Sequence, residues 1–269
     1  MNNLTPSILA ISLYLLSGIF IAVRLFGKQE SISIGKPYII SIGMIALLMH
    51  SHLLYQGIFS DRGLNLGIFN AFSLLSWLII LMLILTAIRK PIENLGIALF
   101  PLAAIAIVFE ISWPSNHIIN STGPWQLQAH IMFSFLAYSL FTIAMVQAII
   151  LYIQDKHLRN HRPGGFIRSL PPLQSMEYLL FQIITAGYLL LTISLITGVL
   201  FLEDIFAKHQ THKTVLSIIA WVIFTVLLWG RFRYGWRGRK AIHWTLGGFI
   251  ALMLAYFGSK LVLELILSR

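Results

Sequence analysis

Apolar runs of about 20 residues recur along the whole chain, each long enough to cross a hydrocarbon core of roughly 30 Å as a helix. Inside lipid every backbone N–H and C=O must find its partner within the protein, so only helices and closed barrels span membranes. A barrel would show alternating segments of about 10 residues, and none occur. Charged residues make up only 10% of the 269, against about 25% in soluble domains. This pattern predicts an all-α polytopic membrane bundle, with residues 1–269 forming a single integral membrane domain and no sizeable soluble part.

Windows bounded by charge or by Pro and Gly clusters predict eight helices: Pro6–Phe26, Pro37–Phe59, Gly67–Ile88, Ile97–Ile111, Leu127–Ile153, Met176–Leu202, Thr214–Gly230 and Ala241–Leu267. The first window has no Lys or Arg before it. It therefore lacks the basic leader of a signal peptide and reads as a retained span. The chain has no Cys, which excludes disulfides, iron–sulfur sites, thiolate zinc sites and thioredoxin-like relays within it.

Charge sets the expected sidedness. With Arg24, Lys28 and Lys36 counted in the first loop, fourteen of the nineteen Lys and Arg fall in odd-numbered loops. This asymmetry puts odd loops in the cytoplasm and both termini outside. The net charge of +10 is then a property of cytoplasmic loops and calls for no nucleic acid. The basic aromatic loop "RFRYGWRGRK", Arg231 to Lys240, reads as an interfacial anchor, with an anionic-lipid site as the second reading. The fourth loop, with Trp113, His117 and Trp125, then faces outward. His130 stands at the outer mouth of the fifth span, and His209 and His212 lie in the sixth loop on the same side.

His130, Ser134 and Tyr138 recur at i, i+4 and i+8, one polar stripe on an apolar helix. Polar groups inside a span face the bundle interior and a partner. An interhelical hydrogen bond to Ser or Tyr explains the stripe; axial ligation of haem iron is the alternative, since neutral imidazole is a good iron ligand. His50 and His52 lie deep in the second span and face different directions, one toward a cavity and the other toward the outer interface. His209 and His212, near Glu203 and Asp204, match no strong zinc spacing and read as a solvated loop or a hydrophilic metal site. His157, His161 and His243 read as polar residues of the cytoplasmic interface. Glu110 and Glu264 sit near span ends, where a charge can snorkel, as can Lys213 at the start of span seven. Phosphate loops, Gly-x-Ser-x-Gly elbows and paired intramembrane carboxylates are absent, and few intramembrane charges exist to form a solute pathway.

Three segments add to this: "QAHIMFSFLAYSLF" (Gln128 to Phe141), "LPPLQSMEYLLFQIITAGYLLLTISLITGVLF" (Leu170 to Phe201) and "HKTVLSIIAWVIFTVLLWGRFRYGWRGRKA" (His212 to Ala241). In order and spacing they resemble the cytochrome c assembly superfamily of haem-handling membrane proteins (the CcsA/CcmC/CcmF group). The terminal "LAYFGSKLV" (Leu254 to Val262) narrows the likeness to its YpjD-type inner membrane branch. The resemblance implies an eight-span bundle in a bacterial inner membrane that holds haem b at its outer face, for c-type cytochrome biogenesis or haem homeostasis. His130 matches the first outer-side haem-ligand histidine and is the expected metal ligand. Lys213 and Trp221 match the Lys and the last Trp of the family's Pro-Lys-Glu-Thr-Trp…Trp segment. Trp113 and Trp125 would close the pocket over a porphyrin face, or else belong to the aromatic belt of the bilayer interface. Lys213 or an Arg would neutralise propionates, and His50 is a further candidate contact.

The departures are specific. Where the synthetases carry Trp-x-Trp-Asp, this chain has Lys208, His209, Gln210 and Thr211. Trp229 replaces a histidine late in span seven, and the final outer-side histidine is missing. His209, His212 or His117 would have to supply a second ligand. The resemblance therefore implies haem binding without independent catalytic activity. Its expected partners are haem, membrane lipid, and other cytochrome c maturation proteins or apocytochrome c. The alternative is a non-haem accessory or regulator of a transporter that kept the bundle and lost the cofactor.

Overall fold

A computed structural model describes residues 4–27, 35–60, 63–113, 118–119, 125–160, 164–201 and 211–258. Among them are eight α-helices: α1 (Leu4–Phe26), α2 (Lys36–Ile58), α3 (Ile68–Arg89), α4 (Gly96–Ser112), α5 (Trp125–Arg159), α6 (Leu173–Phe201), α7 (Thr211–Tyr234) and α8 (Arg239–Met253). The first seven are long and apolar enough to cross a membrane, α4 together with the 3-10 turn Glu93–Leu95 that precedes it. α8 runs into a π-helical turn, Leu254–Gly258. The all-α membrane architecture expected from the apolar windows is therefore present, helix for window.

Two differences from the windows have a common cause. α5 continues to Arg159 and α7 to Tyr234, beyond the window ends at Ile153 and Gly230. Charge ends an apolar window, but Gln, Lys and Arg are good helix formers and carry the backbone ladder onward. A small three-stranded antiparallel sheet was not foreseen. Its strands β1 (Phe59–Ser60), β2 (Gly63–Asn65) and β3 (Ile118–Ile119) pair in the order β1-β2-β3. Strands of two or three residues leave no periodicity to read.

The helices fall into two compact units. The first comprises Met1–Thr122 and His161–Pro171 and holds α1 to α4. On α1 the buried face carries Ser7, Ala10, Tyr14, Ser17, Gly18, Ile21 and Leu25, while Leu15, Leu16, Ile19 and Val23 are exposed. Leucine gains nothing by leaving lipid tails for another helix, so small and polar residues line the packed face and allow close approach. At one end of this unit the buried Glu93 carboxylate takes Arg24 at 3.4 Å and Lys36 at 3.5 Å.

The second unit comprises Gly123–Asn160 and Pro172–Arg269 and holds α5 to α8. Its centre is a stacked pair, Phe141 on Phe224, with centroids 4.0 Å apart and 17° between planes. Gly187 and Gly248 admit these rings: a Cβ at Gly248 would stand 2.6 Å from Phe224 Cζ, inside van der Waals contact. At one end, Glu177 accepts hydrogen bonds from Arg237 Nε at 3.0 Å and Gly238 N at 2.8 Å. Asp155 takes Arg159 at 3.1 Å and Arg239 at 3.4 Å.

Candidate functional site

The polar stripe of α5 meets α6 inside the second unit. His130 is half-buried there, with Nδ1 2.8 Å from the Ser194 carbonyl oxygen. A carbonyl only accepts, so Nδ1 carries the proton and donates it. The neutral ring then has its lone pair on Nε2. Ser134 Oγ lies 2.7 Å from Ser194 Oγ and donates to the His130 carbonyl at 2.8 Å. Thr197 Oγ1 donates to the same Ser194 carbonyl at 2.9 Å. Gly198 lies directly under the imidazole: a Cβ there would stand 3.0 Å from His130 Cε1 and 3.3 Å from Nδ1. Hydrogen at this position lets the ring seat on α6. Farther along the stripe, Tyr138 packs against Tyr256 of the π turn, centroids 5.8 Å apart.

The interhelical bond expected of a polar stripe is thus made, and it uses one nitrogen. A neutral imidazole whose Nδ1–H is held by a carbonyl is the arrangement found in most metal-ligating histidines, where the bond fixes tautomer and ring orientation. The partners on α6 gave no signal in the sequence, because Ser, Thr and Gly are ordinary residues of helix interfaces in membranes.

The other candidates are distributed as follows. Trp125 opens α5 and is 71% exposed. Five residues from His130, it occupies a different face of a regular helix. Trp221 of α7 donates from Nε1 to Thr192 Oγ1 at 3.0 Å and stacks on Tyr188, centroids 5.8 Å apart. This register runs α7 antiparallel to α6 and brings its first turn, with His212 and Lys213, to the end of the unit where His130 sits. His117 and His209 lie outside the described residues. Trp113, in the first unit, stacks on Phe69 at 5.9 Å beside Phe109 and is 55% exposed. Among the described residues, no group of three or more His, Asp or Glu is placed to hold a metal ion.

His50 belongs to a separate arrangement within the first unit. It is fully buried, whereas His52 is exposed and bonds Gln56 at 2.9 Å. His50 Nε2 lies 2.9 Å from Ser73 Oγ, and Nδ1 lies 3.3 Å from the Tyr14 hydroxyl. Ser73 Oγ in turn donates to Glu110. Instead of reaching out of the span end, Glu110 turns inward over Gly57, where a Cβ would stand 2.7 Å from Oε1. Both nitrogens of His50 are therefore engaged by the protein, whereas among the described residues His130 is engaged through Nδ1 alone.

Comparison with known proteins sets these helices in a family. The model of the cytochrome C assembly protein family matches residues 38–267. Inner membrane protein YpjD of Escherichia coli (strain K12) is 35% identical over 229 residues, 83% of this chain and 85% of that protein. Cytochrome c biogenesis protein CcsA of Prochlorococcus marinus (strain MIT 9515) is 22% identical over 264 residues, 88% of this chain and 83% of that one. Protein HemX of Brevibacillus brevis is 22% identical over 134 residues, 49% of each chain. No solved structure matches. With seven helices of spanning length and kinship along most of its sequence, this multi-pass protein of the bacterial inner membrane belongs to the cytochrome c assembly protein family.

Proposed function

We propose that the chain binds haem near the outer face of the membrane and serves the biogenesis of c-type cytochromes. Family membership and the relatives named for cytochrome c biogenesis support the broad role. The observation that carries the haem assignment is the bond from His130 Nδ1–H to the Ser194 carbonyl at 2.8 Å, which leaves the Nε2 lone pair for iron. The donor set fits the group: imidazole is a common axial ligand of haem iron, and Gly198 gives this one a fixed seat.

His130 would hold the iron through Nε2. Lys213 and His212, at the start of α7, would supply a cation for a propionate and a second nitrogen donor. When bound, haem supplies an iron centre that changes redox state or passes intact to an acceptor protein. In this reading the chain's own residues hold and orient the group, and the proposed role is binding and presentation. Protein purified in mild detergent and loaded with haem is expected to show a Soret band that His130→Ala weakens. A folded protein that stays colourless after loading would overturn the assignment and favour the transporter-accessory alternative. Deleting the chain should lower c-type cytochrome levels.

A further inference from the structure

Two adjacent glycines of α8 differ in what they face. At Gly248 a Cβ would strike the Phe224 ring, so packing requires the hydrogen. At Gly247 a Cβ would meet no heavy atom within 4 Å, and the residue is exposed. Glycine weakens a helix interior relative to alanine, and at Gly247 no contact among the described residues offsets that. The bare backbone is a notch on the outward face of α8. Trp244 and the exposed His243 lie one turn toward the start of the helix, and Lys240 lies two turns away, about 10 Å along the axis at 1.5 Å per residue. In the other direction the exposed Ile250 continues the face as hydrocarbon. Positions three, four and seven residues apart share one side of a helix.

The polar end of this face holds unused donors. Arg231 and Arg237 share Glu177, and Arg239 pairs with Asp155. Arg233 and Lys240 have no carboxylate partner among the described residues. Lys240 Nζ lies 5.6 Å from the Trp236 ring centroid, and Trp236 packs on Trp244 with centroids 5.6 Å apart. Neither indole N–H, nor the His243 ring, makes a hydrogen bond among the described residues. Exposed Tyr234 and the neighbouring tryptophans mark this level as the membrane surface.

We infer that the outward face of α8 seats one anionic diacyl phospholipid. Its phosphate lies against Lys240, His243 and the Trp244 indole N–H, and one acyl chain lies along the Gly247 notch. Charge complementarity selects the anion: α8 contains Lys240 and Arg239 and no Asp or Glu. The apolar notch two turns deeper selects an amphiphile, because a free phosphate would use only the polar end. A second copy of the chain fits the face poorly. Copies insert in one orientation, so a symmetric pair about the membrane normal would set Lys240 against Lys240, and the face offers no carboxylate to pair them.

The test is native mass spectrometry of the full chain released from detergent micelles doped with equal amounts of phosphatidylglycerol and phosphatidylcholine of matched acyl chains. One phosphatidylglycerol is expected to be retained in preference to phosphatidylcholine. Lys240→Gln should lower its retention about fivefold, the worth of one cation near anionic lipid. Gly247→Leu places its side chain in open space, so circular dichroism should be unchanged while phosphatidylglycerol retention falls with Lys240 still present. Glycerol phosphate, a headgroup without chains, should not displace the lipid. Equal retention of the two lipids, displacement by glycerol phosphate, or wild-type retention in Gly247→Leu overturns the proposal. So does a dimer that Gly247→Leu dissociates, which would give the face to a second copy. None of these outcomes depends on haem binding.

Discussion

At the scale of single residues, the candidate site depends on a glycine as much as on a histidine. His130 is seated by the Ser194 carbonyl on one side and by the missing side chain of Gly198 on the other. Gly198→Val would drive a branched Cβ into ring atoms that already stand 3.0 Å from a bare Cβ position. The ring would have to leave its rotamer, at a cost of about 1–3 kcal/mol typical of overpacking. Haem retention, read from the Soret band at fixed haem, is expected to fall toward the His130→Ala level. Secondary structure by circular dichroism should be unchanged. The α5 stripe was legible because His, Ser and Tyr at one-turn spacing stand out against Ile, Leu and Phe. Gly198, Ser73 and Tyr14 were not, since their meaning lies in what another helix brings to them. Glu110 was visible but read wrongly: position near a span end suggests snorkelling, and only the facing Ser73 and Gly57 show that the carboxyl turns inward.

At the scale of elements, the corner between α6, α7 and α8 is held by one buried carboxylate. Glu177 accepts from Arg237 and from the amide of Gly238. Gly238 has φ of +55° at the N-terminus of α8, where a side chain is strained. Trp236 closes the turn, with Lys240 Nζ 5.6 Å from its ring centroid. The basic loop read from sequence as an interfacial anchor thus also folds back on its own unit, through Arg231, Arg237 and Arg239. Glu177→Ala would leave the Gly238 amide and one face of Arg237 unpartnered. Because Arg237 is half exposed, water repairs part of the loss, and about 1–2 kcal/mol of destabilisation is expected. A denaturant titration in detergent micelles measures it, and Arg237→Ala should cost less than Glu177→Ala. Window boundaries missed this corner because apolar runs stop where such charges begin.

At the scale of the whole molecule, the net charge has a location. Odd-numbered loops and helix ends carry fourteen Lys and Arg against Glu30, Glu93, Asp155 and Glu177, while the opposite side balances five cations with five carboxylates. With eight alternating spans, the whole surplus of +10 is expected on one side. The ion pairs of Glu93, Asp155 and Glu177 do not erase it, and acidic residues count little in setting orientation. The expectation is a cytoplasmic Arg231-to-Lys240 loop and an outward-facing sixth loop. Because the chain has no Cys, single cysteines report orientation without background. In spheroplasts, an impermeant maleimide should label Gln210→Cys directly. It should label Tyr234→Cys, at a side chain 69% exposed, only after the membrane is opened. The opposite pattern would turn the His130 end of its unit toward the cytoplasm. Iron ligation there would then serve uptake of newly made haem and not delivery to an exported apoprotein, so this labelling decides the direction in which the proposed function can run.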